Sequence, residues 1–158
     1  MKNLLYIGNK LAKKGKTVTS IETLGRFLAA EGFIVKTASS KTNKFFRMVD
    51  MLYHVFRYRK KTDFVLIDTY STSNFYYALF VSQLCKFLKL KYIPILRGGN
   101  LPNRLKSHPK LSKILFNNAF ITPKKINSTG YWLENMSFPF VRMWLIFLSE
   151  WTLKQAQY

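Results

Sequence analysis

The sequence has very few acidic residues and a single cysteine. Of its 158 residues 7 are Asp or Glu and 26 are Lys or Arg, which gives a formal net charge of +19. This excess favours an anionic partner, which could be nucleic acid, a phosphorylated small molecule or an acidic membrane surface. Cys85 stands alone in an apolar run, so a disulfide framework is excluded and a reducing, cytoplasmic compartment is expected.

Metal-ligand patterns and long apolar stretches are also missing. The two histidines, His54 and His108, have no Cys or acidic partner at ligand spacing, so neither a metal site nor a Ser/His/Asp set is predicted. No stretch of roughly 18 uncharged apolar residues occurs, and we expect no membrane-spanning helix. The content of 48% hydrophobic residues is that of a globular chain with one real core.

Short apolar runs alternate with helical patterns over the first 122 residues. Thr19 and Glu22 have the spacing of a capping box, and Gly32 is suited to end the helix that follows. This alternation with short links predicts an α/β fold with a Rossmann-like, doubly wound, mostly parallel sheet. The predicted strands are Leu4–Ile7, Phe33–Val35, Phe64–Ile67, Tyr92–Leu96 and Ala119–Thr122.

The second and third helices are predicted from apolar spacing. Phe75–Leu88, the third helix, is apolar almost all round and should be deeply buried, and Pro109 begins a shorter helix. The apolar residues of the second helix recur at intervals of three and four: Phe45, Met48, Val49, Leu52, Val55 and Phe56. We assign its basic residues to the outer face and the end: Lys44, Arg47, Arg57, Arg59, Lys60 and Lys61.

The loops that follow the strands carry the candidate site. In an open α/β sheet ligands bind beyond the carboxyl ends of the strands, and right-handed crossovers bring those ends to one edge. Two adjacent glycines, Gly98 and Gly99, would let a ligand approach main-chain N–H groups, and Arg97 offers a planar fork of donors for phosphate or carboxylate. The polar segments expected at this edge are Gly8-Asn9, Ser39-Ser40, Asp68–Ser71 and Arg97–Asn100.

The basic composition is also compatible with two other functions. A phosphate loop of the GxxxxGK[ST] type is disfavoured because six residues instead of four separate Gly8 from Gly15. A basic binding module for nucleic acid or for an anionic membrane surface remains the alternative function, since lysines and aromatic rings can bind phosphates and stack on bases. No recognised nucleic-acid module is present.

The composition changes at Pro123. Residues 1–122 hold 22 Lys or Arg and 5 Asp or Glu, a net +17, whereas residues 123–158 hold 4 and 2, a net +2. All three tryptophans lie in the second part. We therefore expect one α/β domain over residues 1–122, followed by an aromatic tail over residues 123–158.

Three segments, by their order and spacing, resemble a known family. YIGNKLAKKGKTVTSIETLGRFLAAEGFIV, IDTYST and PILRGGNLP together look like the N-terminal domain of a family-4-type bacterial glycosyltransferase of the GT-B class. The resemblance implies two Rossmann-like domains across a cleft and retaining transfer of a sugar from a nucleotide-sugar donor to an acceptor hydroxyl. It further implies no metal, a polysaccharide or glycolipid product, and a place in the cytoplasm or at the inner face of the membrane.

The resemblance also assigns roles to residues. Gly8 and Asn9 match the loop that approaches the donor, and no catalytic residue is assigned. Arg97 stands where the family commonly has a histidine, and an arginine cannot be a general base at neutral pH. The acceptor side would be formed by Asp68, Thr69, Tyr70, Ser71, Arg97, Gly98, Gly99 and Asn100.

The family's donor-binding half has no counterpart in this sequence. Its pair of glutamates seven residues apart is missing, and residues 123–158 do not resemble its continuation. We therefore expect a truncated or frame-shifted product that carries the acceptor-side domain and is inactive alone. In the alternative, the tail is a genuine aromatic segment lying on a membrane surface.

Overall fold

A computed structural model gives the structure of most of the chain, which divides into two compact units, Met1–Thr122 and Pro123–Tyr158. In the second unit only the backbone of two strands is described. The described residues are 2–10, 19–97, 100–120, 123–126 and 130–133.

Strands and helices alternate through the first unit. Its elements are β1 (Asn3–Ile7), α1 (Ser20–Ala30), β2 (Ile34–Ala38), α2 (Lys44–Tyr58), β3 (Phe64–Thr69), α3 (Asn74–Phe87), β4 (Tyr92–Leu96), α4 (Leu101–Ser107) and α5 (Pro109–Phe116). The second unit contains an antiparallel pair, β5 (Pro123–Ile126) and β6 (Gly130–Leu133).

The four described strands of the first unit form one parallel sheet in the order β2-β1-β3-β4. The predicted Rossmann-like α/β class is therefore confirmed. The chain steps from β1 to β2 in one direction and from β2 through β3 to β4 in the other. Right-handed crossovers then place α1 on one face of the sheet and α2 and α3 together on the opposite face, where these two helices pack against each other.

The core is built on the two central strands. Leu4–Ile7 of β1 and Phe64–Thr69 of β3 are buried throughout, as expected for parallel strands that are covered on both faces. Pro94 has no backbone N–H to donate. It lies in β4, which pairs only with β3 among the described strands, so no second neighbouring strand requires that donor.

The sequence pattern predicts only part of β2. Phe33–Val35 was expected, but the strand runs from Ile34 to Ala38 and pairs along its whole length with β1. As the edge strand it alternates between exposed and half-buried residues, including Lys36, and an apolar run alone does not detect such a strand.

Three further differences concern the end of the first unit and the tail. Of the predicted strand Ala119–Thr122, residues 119 and 120 form no strand, although the Phe120 N–H donates to the Tyr92 carbonyl at 2.9 Å; the other two residues lie outside the described part. The short helix α4 was not predicted. Nor was the β5–β6 hairpin, because the tail offers no regular apolar pattern.

The first helix follows its sequence signals. The Thr19 N–H donates to the Glu22 carboxylate at 3.0 Å, as in the predicted capping box. Gly32 has φ +88°, its N–H donates to the Ala29 carbonyl, and the next N–H donates to the Leu28 carbonyl. These two hydrogen bonds form a Schellman motif at the C-terminus of the helix, in which glycine adopts the left-handed conformation without strain.

The orientation of α2 and the burial of α3 differ from expectation. Arg47, assigned to the outer face of α2, is only 8% exposed, and it shares the buried face with Met51 and Val55. Phe45, placed on the predicted apolar face, is 64% exposed. The spacing of apolar residues revealed a helix but not which face packs, because α2 is apolar on two sides. In α3 one face is buried, but the residues Tyr76, Phe80 and Phe87 are exposed.

No helix among the described residues is long and apolar enough to cross a membrane.

Candidate functional site at the carboxyl edge of the sheet

The strand order reverses between β1 and β3, and the loops after these two strands lie side by side. From β1 the chain leaves toward β2, and from β3 it leaves toward β4 on the other side. The two departing crossovers lie on opposite faces of the sheet, which opens a crevice at the carboxyl ends of β1 and β3. Gly8 and Asn9 follow β1 here, and Asp68 stands near the end of β3.

Three side chains from three strands form a hydrogen-bonded cluster at this edge. The Tyr6 hydroxyl donates to Asp68 Oδ1 at 2.8 Å, and Arg97 Nε donates to the same oxygen at 3.0 Å. A second guanidinium nitrogen of Arg97 donates to the Tyr6 hydroxyl oxygen at 3.2 Å. The cluster links residues up to 91 positions apart, so it forms only when β1, β3 and the end of β4 are in register.

Burial governs the ionisation of the cluster. Removal from water raises the pKa of the Asp68 carboxyl above its ordinary 3.8, although the charge of Arg97 and the bonds from Tyr6 and Arg97 act in the opposite direction. Burial, assisted by the negative charge of Asp68, raises the pKa of Tyr6 well above 10. For Arg97, burial disfavours the charged form, but the interactions with Tyr6 and Asp68 outweigh it and raise the pKa. The arginine is thus held in its charged form.

One oxygen of the Asp68 carboxylate is buried and has no hydrogen-bond partner among the described residues. This oxygen, Oδ2, faces the backbone of Gly8, where a Cβ atom would come within 2.6 Å of it. The absence of a side chain at Gly8 therefore makes room for the carboxylate. An unpaired buried acceptor carries a desolvation penalty, and such a group is a common feature of sites that receive a donor from a ligand.

The loop after β1 is anchored from two helices. Arg47 of α2 donates to Asn9 Oδ1 at 3.2 Å and to the carbonyls of Lys41 and Thr42 at 2.7 and 2.8 Å. The hydroxyl of Thr19, at the start of α1, donates to the Asn9 carbonyl at 2.6 Å. The Ser39 N–H also donates to the Gly8 carbonyl, so the loop continues the sheet ladder for one more step. The position of Asn9 is thereby fixed from three sides.

A small cleft lies between these groups and the helices α2 and α3. It has a volume of about 10 Å³, room for one water molecule, and it opens at the edge of the sheet. It can receive a hydroxyl, which could donate to the Asp68 carboxylate, but not a whole sugar. Its lining includes Gly8, Asn9, Asp68, Tyr70, Asn74 and Tyr77.

The predicted site residues divide into those that meet at this cleft and those that do not. Gly8, Asn9, Asp68 and Tyr70 line it, and Arg97 bonds to Asp68. Three others lie elsewhere: Thr69 is a fully buried strand residue whose hydroxyl donates to the Ile67 carbonyl, Ser71 is half-buried in the following loop, and Asn100 is exposed and bonds to Asn103. Gly98 and Gly99 lie outside the described residues.

Two residues of the site were missed in the sequence. The signal for Tyr6 was a hydroxyl in an otherwise apolar buried strand, two positions before the strand-end glycine. The signal for Arg47 was its spacing of four and eight residues from Met51 and Val55, which places it on their face of the helix. A buried charge needs partners, and Asn9 and the two carbonyls provide them.

In the part of the chain that the structure describes, no group of three His, Cys, Asp or Glu side chains could hold a metal ion. Cys85 is buried, and burial raises the pKa of its thiol to about 12, so it is a core residue.

No protein-family description, no curated protein and no solved structure matches this chain.

Proposed function

We propose that the first unit is the acceptor-side domain of a retaining glycosyltransferase that uses a nucleotide-sugar donor. The observation that carries the proposal is the meeting of Gly8-Asn9, Asp68 and Arg97 at the strand-order reversal, the position at which open α/β sheets bind ligands. The order and spacing of the three segments that resemble a glycosyltransferase domain support sugar transfer as the reaction. The donor would be bound mainly by a second domain that faces this edge.

Each residue has a defined part in this proposal. Arg97 keeps its charge and attracts a phosphate or carboxylate of the acceptor, a role suited to its planar donor fork. Asp68 fixes the guanidinium through Oδ1 and leaves Oδ2 as an acceptor toward Gly8. Gly8, which has no side chain, and Asn9 lie where the donor would approach this edge. Transfer itself depends on stabilising the leaving diphosphate, which requires the facing domain.

Solution NMR tests the proposal with probes of different classes. The ¹⁵N-labelled chain is titrated separately with UDP-glucose, glucose 1-phosphate and a single-stranded RNA oligonucleotide. We expect the sugar phosphates to shift the amides of Gly8, Asn9, Tyr70 and Arg97 together. Shifts confined to other surfaces, or tight binding of RNA alone with a steep salt dependence, would contradict the proposal.

A matched pair of variants separates the site from general electrostatic attraction. Arg97→Gln removes a charge-assisted hydrogen bond and should weaken glucose 1-phosphate binding by about tenfold or more. Arg26→Gln makes the same change on the exposed side of α1 and should leave binding unchanged. Equal losses in the two variants would show that the anion is attracted by net charge instead of by the site. Well-dispersed amide spectra check that both variants are folded.

A further inference from the structure

Helix α2 carries a second apolar face opposite the one that packs on the sheet. At 100° per residue, its exposed apolar residues fall within about a third of the helix circumference, diametrically across from Met51. Their exposed fractions are 64% for Phe45, 62% for Phe46, 46% for Val49, 53% for Tyr53 and 52% for Phe56. None of these side chains is needed to bury the core, so their apolar character requires another explanation.

The neighbouring helix α3 repeats this feature. Tyr76, Phe80 and Phe87 follow one another at spacings of four and seven, which keeps them on one side of the helix, away from the buried Ala78 and Val81. Because α2 and α3 pack side by side on the same face of the sheet, both exposed stripes point away from it. We call the combined surface the outer aromatic face; it consists of Phe45, Phe46, Val49, Tyr53, Phe56, Tyr76, Phe80 and Phe87.

Arginines border this face and contact its rings directly. The guanidinium of Arg59 lies 3.9 Å from the centre of the Phe56 ring, and Arg57 donates to the Tyr53 hydroxyl at 3.2 Å. On α4, Arg104 donates to the Tyr76 hydroxyl at 2.9 Å. Between residues 41 and 61 there are 7 Lys or Arg against one acidic residue, Asp50, and residues 69–120 contain no acidic residue at all. The border is therefore strongly basic.

An open groove runs beside the aromatic stripe of α2. It has a volume of about 450 Å³ and is lined by Lys41, Phe46, Val49, Asp50 and Tyr53, among others. The apolar side chains of Phe46, Val49 and Tyr53 line one part of this groove. Its polar lining includes Thr42 and Asn43, together with Lys41 and Asp50, which carry charges of opposite sign.

We propose that the outer aromatic face binds the surface of an anionic lipid bilayer. Aromatic rings in the centre with basic residues at the border are the arrangement by which interfacial helices lie in the headgroup region. Nucleic acid fits less well, because a strand of phosphates needs charge along its whole path and here the charge stands at the edges. A second copy fits less well too, because Arg57 and Arg59 would meet another basic face. The proposal is independent of the transfer function, since it uses no residue of the strand edge.

Flotation with vesicles tests the proposal on the full chain. Phosphatidylcholine vesicles with and without phosphatidylglycerol are compared at low salt and at about 0.15 M, where screening acts beyond about 8 Å. The chain should float with the phosphatidylglycerol vesicles and much less with pure phosphatidylcholine. Added salt should weaken the binding without abolishing it, because the rings also enter the membrane. Absence of flotation with phosphatidylglycerol vesicles overturns the proposal.

Paired variants locate the contact. Phe80→Ser and Phe46→Ser should each weaken partition by about tenfold, the effect of removing a partly buried aromatic side chain. Phe27→Ser serves as the control, because Phe27 is 44% exposed on α1 and α1 lies on the opposite face of the sheet. All three replace exposed residues, so folding should survive. Equal losses in Phe80→Ser and Phe27→Ser would overturn the proposal.

The charged border is tested in the same way. Arg57→Ala should weaken vesicle binding by about fivefold, and Arg26→Ala on α1 should have little effect. Sedimentation equilibrium tests whether a second copy of the chain occupies the face, and an RNA-binding measurement tests whether nucleic acid does. If Phe80→Ser abolishes dimerisation or RNA binding while vesicles are not bound by the wild type, the face serves another partner and the proposal is wrong.

Discussion

Asp68 is the residue on which the site depends, because it is buried, bonded through one oxygen to Tyr6 and Arg97, and without a partner at the other oxygen in the part of the chain that the structure describes. Its place at the end of a buried strand could be predicted from the run Phe64–Ile67 and the polar residues that follow. Its hydrogen bond with Tyr6 could not, since a tyrosine in an apolar run stands out as a candidate but gives no sign of which group its hydroxyl contacts. Contacts across 62 and 91 residues are set by strand order, which local sequence does not contain.

The raised pKa of Asp68 predicts a pH dependence of stability. The folded state holds the carboxyl proton above pH 3.8, where the unfolded chain has lost it, so the free energy of unfolding falls as pH rises from about 4 through the folded pKa. Asp68→Asn removes this titration. Urea unfolding of both proteins from about pH 4 to pH 7 should show the wild type losing stability relative to the variant as pH rises. A relative gain by the wild type would mean that the attraction of Arg97 outweighs burial.

Gly8 is predicted to tolerate no side chain. Gly8→Ala brings a methyl group within 2.6 Å of Asp68 Oδ2, and the carboxylate must move, which disturbs its bonds to Tyr6 and Arg97. We expect a loss of about 1–3 kcal/mol in the free energy of unfolding, as for other overpacked sites. Gly25→Ala is the control: its added Cβ would be 3.8 Å from Thr37, and alanine favours a helix by about 1 kcal/mol. Chemical denaturation of both variants gives the comparison, and similar effects would contradict the close approach.

At the scale of elements, the helix α2 shows what periodicity determines and what it leaves open. Apolar residues at spacings of three and four correctly indicated a helix, but the face that packs is the one with Arg47, Met51 and Val55. A helix with apolar residues on two sides has two candidate inner faces, and the choice is made by the groups it meets. Here Asn9 and the carbonyls of residues 41 and 42 bind Arg47 and orient the helix.

The start of α2 depends on one capping residue. Asn43 accepts hydrogen bonds from the N–H groups of Phe45 and Phe46 at 2.9 and 3.4 Å. Asn43→Ala should lower the free energy of unfolding by about 1 kcal/mol, while Asn43→Asp, which keeps an acceptor at a helix N-terminus, should retain it. Thermal and urea unfolding measure both. If the two variants were equally destabilised, the amide of Asn43 would not be acting as a cap.

At the scale of the whole molecule, the fold class could be predicted and the arrangement within it could not. Alternating strands and helices predict a parallel sheet, but the order β2-β1-β3-β4, which creates the crevice, depends on which crossover turns in which direction. The predicted strand β2 ends earlier than the observed one because Lys36 interrupts its apolar pattern. The sequence pattern also predicts that the exposed apolar residues of α2 and α3 belong to the core, because sequence alone does not distinguish a residue facing the sheet from one facing outward.

The central claim is that the ends of β1, β3 and β4 bring Tyr6, Asp68 and Arg97 into one cluster. Side-chain NMR of the Arg97 Nε–H tests it most directly, because this proton is bonded to a buried carboxylate and the same guanidinium donates to the Tyr6 hydroxyl. We predict a slowly exchanging Arg97 Nε–H with nuclear Overhauser contacts to Tyr6, next to a fast-exchanging Nε–H signal from the exposed Arg57, whose hydrogen bond to Tyr53 runs through a terminal guanidinium nitrogen. An Arg97 signal that exchanges as fast as that of Arg57 and has no contact with Tyr6 would contradict the account.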